Sequence, residues 1–496
     1  MSSSKILFLL SIFFILGVFL ESIIKIPQIF IWGFLFLGII LVYLSFFYKI
    51  ISFVAGFCLL LILAGILRMQ ISEFNVENDI LSKFNNKGDI TLTGEILNEP
   101  DVRDTFQRIR VKVDDSIIVV TTGRYPEYNY LDKVKIIGEL EMPGEMEDGT
   151  ISGSYKNYLM KDGVYSVINF PKIEIISKDH KHNIFSYIYE NILVFKQEIR
   201  ISIQKNFLPP QSLILEGTVL GDNGAMTTEL KNKLNITGLR HIIAVSGTHV
   251  VILCSIVLSI LLAMGLWRGQ AFYVAIIFVC LYIILTGLPP SGVRAGIMGG
   301  IYLWSQKIGR QTMGPRIIVL ACSIMLLINP LLLFYDVGFQ LSFLAVIGLI
   351  YLEPIIKKFI KIIIRKKEEG SDNLIGIIST TFAAQIFTLP VMVYNFGNIS
   401  YVSPITNLLV LPIVYWLMIF GFLASIVGIF SNVLGWILSI ACWLLLTYFV
   451  KVIDIFSQPW MVKFIQNIHW FWLVSAYLII IGATSFLNKK YSSKVV

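Results

Sequence analysis

Long apolar stretches alternate with short polar ones along most of the 496-residue chain, and this pattern predicts a bundle of membrane-spanning helices. Most of these stretches approach the ~20 residues that carry an α-helix across ~30 Å of hydrocarbon. The sequence therefore predicts a polytopic α-helical membrane protein with about 12 spans. The candidate spans are residues 6–24, 28–48, 50–67, 242–266, 271–287, 293–305, 317–334, 337–352, 374–396, 405–430, 433–450 and 470–487.

The overall composition is typical of a membrane protein. Hydrophobic residues make up 56% of the chain and charged residues 15%, whereas soluble domains carry about 25% charge. Lys5 and the apolar run Ile6–Leu20 resemble a secretory signal peptide, but no small-residue cleavage site follows and a second span begins at once. We therefore expect the first helix to be retained in the protein.

One long polar insert interrupts the apolar pattern. Between Met69 and Glu190 there are 14 basic and 21 acidic residues, whereas the rest of the chain holds 26 basic and 11 acidic residues. The insert therefore has a net charge of −7 and the rest of the chain +15, so the basic character belongs to the membrane part. Short runs rich in β-branched residues, separated by turn residues, predict five strands, at residues 90–98, 105–113, 116–122, 133–140 and 164–170. Five short strands in such a segment suit a small OB-like β-barrel.

The basic loops orient the predicted spans, because cytoplasmic loops are enriched in Lys and Arg. With the N-terminus inside the cell, the first three spans place residues 69–190 outside the cytoplasm. The short, glycine-rich span 293–305 is the weak point, because a half-helix there would change the parity of the later loops. The basic segments that fall inside are Arg268, the loop with Lys307, Arg310 and Arg316, the Lys357–Lys367 cluster, and the tail after Asn488.

The chain divides into five parts by polarity. An amphipathic helix over Ile184–Phe207 ends at Pro209-Pro210 and suits a connector that lies on the bilayer or leads into the membrane. The parts are three transmembrane helices (1–68), the OB-like domain (69–183), the helical connector (184–235), the main membrane domain (236–488) and a basic cytoplasmic tail (489–496).

Two predicted strands of the insert carry a candidate nucleic-acid surface. In residues 105–113, apolar Ile109, Val111 and Val113 alternate with cationic residues, so the two sets point to opposite faces of the sheet. OB-folds bind single strands through a basic groove with stacking aromatics. An ordinary solvated sheet face with loop-anchoring tyrosines is the alternative, because the insert is acidic overall. The candidate nucleic-acid residues are Arg108, Arg110, Lys112, Arg124, Tyr125, Lys133 and Lys135.

Polar side chains inside the predicted spans are the second set of candidates. Bilayer interior disfavours them, so they face protein, water or a substrate. The densest group is the run Gly238–Val251, which opens directly into an apolar helix. Such residues line a conduit or form hydrogen bonds between helices, and both interpretations stay open. The pore or gating candidates are Arg240, His241, Ser246, Thr248, His249, Arg294, Gln340, Thr381, Gln385, Thr388 and Asn407.

Arg294 follows the helix-breaking pair Pro289-Pro290 and lies among glycines. A broken helix at membrane depth is tolerated only where it faces protein or a water-filled cavity. Arg294 therefore either meets a phosphate group or forms a structural hydrogen bond. We expect the neighbouring small residues to allow close helix packing; they are Gly292, Gly296, Gly299 and Gly300.

The chain offers no constellation typical of an enzyme, a metal site or a cofactor site. It lacks a Walker A motif and the Gly-x-Ser-x-Gly elbow of hydrolases. His180-Lys181-His182 begins like a metal site, but further ligands are missing from the residues that follow. All five cysteines fall in apolar spans, which predicts neither a disulfide framework nor a thiolate zinc site. We expect no catalytic residues, no metal and no cofactor.

Several motifs together resemble the ComEC competence-protein family, inner-membrane components of bacterial DNA uptake. The lead motif is Gly238–Val250, similar to the family's Gly-Leu-x-His-Leu-Leu-Ala-Val-Ser-Gly-x-His-Val. Each motif alone is weak, but their order along nearly the whole chain makes the resemblance specific. The other matching elements are Gly153–Leu159 with Lys161–Val164, Gly221-Asp222, Thr286–Ala295, Gly338–Phe343, Thr388–Pro390, Phe396-Gly397, Ser403–Asn407 and Pro412.

This resemblance implies a bacterial inner-membrane channel that admits single-stranded DNA during natural transformation, with residues 236–488 as its competence-type channel domain. It also implies a DNA receptor outside the membrane and an ATP-dependent helicase inside. Many family members continue into a metallo-β-lactamase-like domain, whereas this chain ends at Val496. We therefore expect a separate nuclease, if any. Membrane lipid and a second copy of the chain are further candidate partners.

Two other functions remain open from the sequence. A small-solute transporter would show inverted repeats and paired broken helices, and no clear repeat is visible. A non-conducting membrane scaffold would use the polar side chains for packing alone.

Overall fold

The computed structural model describes residues 3–44, 50–144, 154–178, 183–307, 314–364, 372–465 and 468–492. The fold is mostly helical, at 70%, and its long apolar helices make the chain a multi-pass membrane protein. A single polar sheet domain is inserted after the third helix. The pair His180 and His182 lies outside the described residues.

Three apolar helices form the N-terminal part, and two of them pack through glycines. A Cβ atom on Gly17 would overlap the backbone of Ile62, and one on Gly65 would overlap the carbonyl of Phe14. Small residues let helix backbones approach closely where lipid gives no hydrophobic drive. The helices are α1 (Ser3–Ile23), α2 (Gln28–Leu44) and α3 (Ile50–Glu77).

The insert is a seven-stranded sheet with the strand order β6-β4-β3-β1-β5-β7, and β2 pairs with β3. All pairs are antiparallel except β4 with β6. The five predicted strands are present as β1, β3, β4, β5 and β6, whereas β2 and β7 were not predicted. The elements are β1 (Asp89–Ile96), β2 (Asp101–Val102), β3 (Phe106–Val113), β4 (Ser116–Gly123), β5 (Lys133–Glu139), α4 (Ser154–Lys161), β6 (Val164–Asn169) and β7 (Lys172–Ser177).

The sheet curls so that strands far apart in its order meet. Glu141, just after β5, exchanges two backbone hydrogen bonds with Val167 of β6, at 2.8 and 2.9 Å. The predicted alternation in β3 is confirmed, because Ile109, Val111 and Val113 are buried in the core of the insert. A closed barrel of the OB type is not shown, so that part of the expectation is not confirmed.

The predicted connector joins the main core. The amphipathic helix predicted over Ile184–Phe207 is confirmed and begins at the N-cap Asn183. Its buried face includes Ile199 and Ile203, which share the largest apolar cluster with the helix that follows and with the membrane helices. The three helices are α5 (Ile184–Asn206), α6 (Gln211–Leu220) and α7 (Thr228–Thr237).

Twelve further helices build the rest, with a small sheet of β8 (Asn398–Ser400) and β9 (Val462–Phe464). Pro390 and Pro412 lie inside two of the long helices. The helices are α8 (Arg240–Ile243), α9 (Gly247–Ala263), α10 (Arg268–Leu285), α11 (Pro290–Lys307), α12 (Gly314–Ile328), α13 (Leu332–Tyr335), α14 (Val337–Tyr351), α15 (Glu353–Ile364), α16 (Asp372–Phe396), α17 (Ser403–Phe430), α18 (Asn432–Ile455) and α19 (Trp470–Ser492).

The number of spans is smaller than predicted when length and apolar character are both required. Among the described residues, eight helices pass this test, or nine if α14 and α15, bent by 48°, form one span. Helices α2 and α12 are apolar but shorter, and α11, over the predicted span 293–305, is not among the eight. The count of twelve is therefore not confirmed.

Candidate functional site

The lead motif folds as two helices with a break between them. Helix α7 ends at Gly238, whose φ of +71° places it in the left-handed region. The short α8 follows, and α9 begins after Ser246. The break separates His241, on α8, from His249, on α9.

His249 is buried and binds the start of its own helix. Its Nδ1 atom accepts a hydrogen bond from the backbone N–H of Ser246 at 3.0 Å and lies 2.8 Å from the hydroxyl oxygen of Ser246. A neutral imidazole whose Nδ1 accepts carries its proton on Nε2. That Nε2 atom is buried and has no hydrogen-bond partner in the described part of the chain. His249 therefore holds a buried donor for which the described residues supply no acceptor.

Three of the candidates at the front of this motif lie on the surface. Arg240, His241 and Thr248 are all exposed. Arg240 donates to the side chain of Asn235 at 3.3 Å, and the Nδ1 of His241 donates to the carbonyl of Gly238 at 2.9 Å.

A second group of candidates forms hydrogen bonds to Ser403, next to the turn at Gly238. The side-chain amide of Gln385 donates to the hydroxyl of Ser403 at 3.0 Å, and that of Asn407 donates to it at 3.4 Å. A Cβ atom on Gly238 would overlap the same hydroxyl, and Thr406 donates to the carbonyl next to Gly238 at 2.7 Å. The turn after α7, the middle of α16 and the start of α17 therefore meet at one buried polar cluster.

The hydroxyl groups of the remaining candidates on α16 form hydrogen bonds within their own helix. The hydroxyl of Thr381 donates to the carbonyl of Ile377 at 2.8 Å, and that of Thr388 to the carbonyl of Ala384 at 2.9 Å. Both partners belong to the same helix. Within the described part of the chain, Gln385 is the α16 candidate whose side chain bonds a neighbouring helix.

The segments that carry the remaining motifs also meet. A Cβ atom on Gly221 would lie 3.1 Å from Val245 and 3.2 Å from the carbonyl oxygen of Thr286. The hydroxyl of Ser291 donates to the carbonyl of Val245 at 2.5 Å. Residues far apart in the sequence therefore form one continuous packed region around the break before α9.

Arg294 is buried on α11, with 3% of its surface exposed. Its guanidinium carbon lies 5.4 Å from the centre of the Phe343 ring on α14, a cation–π distance. Its Nη1 atom is buried and has no hydrogen-bond partner among the described residues. Of the four nearby glycines, Gly296 has Ile283 of α10 within contact distance, whereas Gly299 and Gly300 face open space. Those two do not supply the predicted helix contacts.

Asp336 and Gln340 form hydrogen bonds where α13 ends and α14 begins. Asp336 is its N-cap and accepts a hydrogen bond from the N–H of Phe339 at 3.1 Å. Gln340 donates to the carbonyls of Leu333 and Phe334 at 2.9 and 3.2 Å. Gln340 thus caps the preceding short helix α13.

The two cavities found on the described part of the chain do not involve the pore candidates. A groove of about 430 Å³ lies between α5 and α10 and is lined by Tyr187, Ile192 and Leu281, among others. A cavity of about 100 Å³ lies between α1 and α12, beside Ser11 and Arg316.

The cationic strand face of the insert is largely neutralised by acidic partners. Arg110 forms an ion pair with Asp162 at 2.7 Å, and Lys135 lies 4.0 Å from Glu174. Arg108 stacks between the rings of Phe106 and Tyr155, 5.3 Å from each centre. Glu95 of β1 stands opposite both Lys112 of β3 and Lys133 of β5. The face is therefore a mixed-charge surface and not a continuous basic groove.

The loop between β4 and β5 carries the most exposed of the candidate nucleic-acid residues. Tyr125 is 71% exposed, and the guanidinium of Arg124 lies 5.8 Å from its ring. Lys112 and Lys133 are also exposed. A base can stack on an exposed ring beside a cation, so this loop is the best-placed part of the predicted nucleic-acid surface.

Sequence reasoning missed a buried charge network that ties the insert to the connector. Glu99, after β1, accepts from Lys196 at 2.6 Å and from Arg200 at 2.7 Å. Arg200 also donates to Asp222 at 2.6 Å. Burial raises the pKa of Asp222, but the charges of Arg200 and Lys196 outweigh it and the net pKa is lowered. The Gly221-Asp222 motif is therefore the anchor of an interdomain ion-pair chain.

Glu216, one turn before that motif, is a buried acid that forms no salt bridge with the described residues. It is 2% exposed and accepts a hydrogen bond from Gln204 at 3.0 Å. Burial raises the pKa of this carboxyl to about 7, although the bond from Gln204 opposes the rise. The only sequence signal for it is an acid in the apolar run Leu213–Leu220.

The described residues contain no group of three or more His, Cys, Asp or Glu side chains able to hold a metal ion. All five cysteines are free, and none is paired in a disulfide.

Comparison with known proteins adds a family relationship. The family model described as "Competence protein" matches residues 218–490. ComE operon protein 3 of Bacillus subtilis (strain 168) is 29% identical over 295 residues, which is 59% of this chain and 35% of that protein. Uncharacterized protein YcaI of Escherichia coli (strain K12) is 27% identical over 251 residues, or 46% of this chain and 30% of that protein.

The chain spans about a third of the length of these two curated relatives. No solved structure matches it. The matched region, 218–490, contains every pore candidate named above and excludes the sheet domain.

Proposed function

The chain belongs to the competence protein family, as its motifs predicted, and on this premise we propose that it serves DNA uptake as a channel component for single-stranded DNA. The proposed location is the bacterial inner membrane, with both termini in the cytoplasm and the insert outside. The two relatives are longer proteins than this chain. The proposed role is therefore that of the membrane part and its insert.

One observation supports a conduit more than any other. Three of the pore candidates each hold a buried polar atom without a hydrogen-bond partner among the described residues: Nε2 of His249, Nη1 of Arg294 and Oδ1 of Asn407. A buried polar group without a partner costs about 1–3 kcal/mol. We propose that these groups gain water or nucleic-acid partners when the interior opens, and that the present packing is the closed state.

The insert is proposed to receive the strand before it enters the membrane. Exposed Arg124 and Tyr125 offer a cation and a stacking ring on one loop. A DNA receptor would deliver the strand from outside, and an ATP-dependent helicase would draw it in from the cytoplasm. A separate nuclease, membrane lipid and a second copy of the chain remain proposed partners.

A non-conducting membrane scaffold is the second candidate. The observation that favours it is the local bonding of Thr381 and Thr388, whose hydroxyls donate to their own helix. A scaffold needs polar groups only for such internal contacts and for helix packing.

Uptake of labelled DNA separates these two functions. In a naturally transformable host that carries this gene, a deletion strain should bind labelled DNA at the surface but fail to bring it into a nuclease-resistant form. Complementation with the intact gene should restore entry. Normal transformation in the deletion strain would reject the channel, whereas restored entry by a variant with its interior cross-linked shut would favour the scaffold.

A further inference from the structure

The insert docks onto the membrane domain through a buried ion pair. The ammonium group of Lys161, at the end of α4, lies 2.7 Å from Oδ2 of Asp336, and the two side chains are only 4% and 6% exposed. Asn329 holds the same helix end, because its side-chain amide donates to the carbonyl of Lys161 at 2.7 Å. The ammonium group also lies 4.4 Å from the centre of the Tyr158 ring. This contact fixes one cation of the insert at the start of α14.

A second buried cation, Arg294, lies within electrostatic reach of the same carboxylate. Asp336 is bonded to the N–H of Phe339, whose ring centre lies 4.5 Å from that of Phe343. Arg294 lies over the other ring and interacts electrostatically with Asp336. Two cations therefore face one anion in a region from which water is largely excluded.

Each carboxylate oxygen of Asp336 already accepts one hydrogen bond. Its Oδ1 atom takes the N–H of Phe339 and its Oδ2 atom takes Lys161, while Nη1 of Arg294 has no partner among the described residues. The site also lies at the N-terminus of the 15-residue helix α14, where the helix dipole favours negative charge. An excess positive charge in a buried site is costly unless an anion compensates it.

We propose that Lys161, Arg294 and the N-terminus of α14 form a phosphodiester site, in which the carboxylate of Asp336 holds the place of the anion until a phosphodiester displaces it. A phosphodiester has two charged or partly charged oxygens for bidentate contact with a guanidinium. The strand that the proposed function brings to this boundary carries one such group per nucleotide, so the inference rests on that proposed function. The headgroup of a phospholipid has the same chemistry and is the other source.

Binding of short oligonucleotides to the purified protein in zwitterionic nanodiscs tests the site without relying on transport. The probe is a fluorescent oligothymidylate, compared with an oligomer of the same sequence and an uncharged backbone. Asp336→Asn is the informative variant, because Asn is as good an N-cap as Asp and removes only the charge. Asp454→Asn is its matched control, since Asp454 pairs with Lys233 at an exposed site.

Asp336→Asn should bind the charged oligonucleotide on the order of tenfold more tightly, because one unit of competing like charge is removed at close range. Arg294→Gln should bind it more weakly and reduce the slope of log K against log salt by about 0.7, the value for one phosphate contact on a single strand. Asp454→Asn should match the wild type. The uncharged oligomer should respond to none of these changes.

Equal or weaker binding by Asp336→Asn, with an unchanged melting temperature, would overturn the proposal and leave Asp336 as a structural ion-pair partner. A gain that disappears in nanodiscs of anionic phospholipid would support the site and assign its occupant to the lipid. The proposed function fails separately: if the binding changes are found but a deletion strain transforms normally, the site stands and the channel does not.

Discussion

The buried acid Glu216 gives a prediction whose sign and size follow from the structure. Its carboxyl is 2% exposed, and burial raises its pKa from 4.5 to about 7, against the bond from Gln204. Substituting Gln for it keeps the size and the hydrogen-bonding atoms but removes the titration. The variant Glu216→Gln therefore isolates the contribution of this one proton to stability.

The magnitude follows from the two pKa values. A carboxyl with a raised pKa binds its proton more tightly in the folded state than in the unfolded state. The folded state therefore loses stability as the pH rises from 4.5, and the loss is complete above 7. At about 1.4 kcal/mol per pH unit, the full loss is on the order of 3 kcal/mol.

Thermal unfolding of the detergent-solubilised protein between pH 4.5 and 8.5 measures this effect. Wild type and Glu216→Gln should have similar stability near pH 4.5, and the variant should become progressively more stable up to pH 7 and remain so above it. Asp222, whose pKa is lowered, stays ionised across this range in both proteins. Glu198→Gln, on the exposed face of α5, is the matched control and should show no such divergence.

A stability difference that stays constant across this range would refute the reasoning, because it would mean that Glu216 titrates alike in the folded and unfolded chains. A variant less stable than wild type at pH 8 would also contradict it, since the buried charge would then be compensated by contacts other than the bond from Gln204.

Two further predictions concern the cluster around Ser403. Gln385→Leu removes the bond to Ser403 and should lower DNA uptake severalfold at an unchanged protein level, whereas Thr388→Val, whose hydroxyl bonds only its own helix, should take up DNA normally; equal loss of protein in both would favour packing alone. Gly238→Ala should cost about 1–3 kcal/mol, measured by thermal unfolding, because it combines a positive φ with an overlap at Ser403. Gly265→Ala has a φ of +87° but open space, so an equal loss there would assign the whole cost to the backbone.

Much of the architecture can be predicted from the periodicity of the sequence. The apolar runs marked each long helix, and the alternation of Ile109, Val111 and Val113 in β3 gave the correct buried face. Strand β7 was missed because Phe170, at a φ of +48°, turns the chain directly from β6 through Pro171 into the next strand. A bulky residue in that conformation gives no turn signal.

The candidate site is only partly accessible to sequence reasoning. The motif at Gly238–Val250 marked His249 as buried polar chemistry, but it did not separate His249 from Thr248 and His241, whose side chains are exposed. The ion pair between Lys161 and Asp336 could not be predicted from local sequence patterns, because the two residues are 175 positions apart. An isolated aspartate in an apolar run was the available signal, since such residues are costly in membranes without a partner.

Photocrosslinking during uptake tests the central claim, that a DNA strand passes through the interior of this membrane domain. A photoreactive amino acid at Asn407, which is 3% exposed in the closed packing, should form a covalent adduct with labelled single-stranded DNA only while a transformable cell is importing it. The same amino acid at Trp436, 59% exposed on α18, should not. Adducts at neither position, together with normal uptake, would contradict passage through this chain.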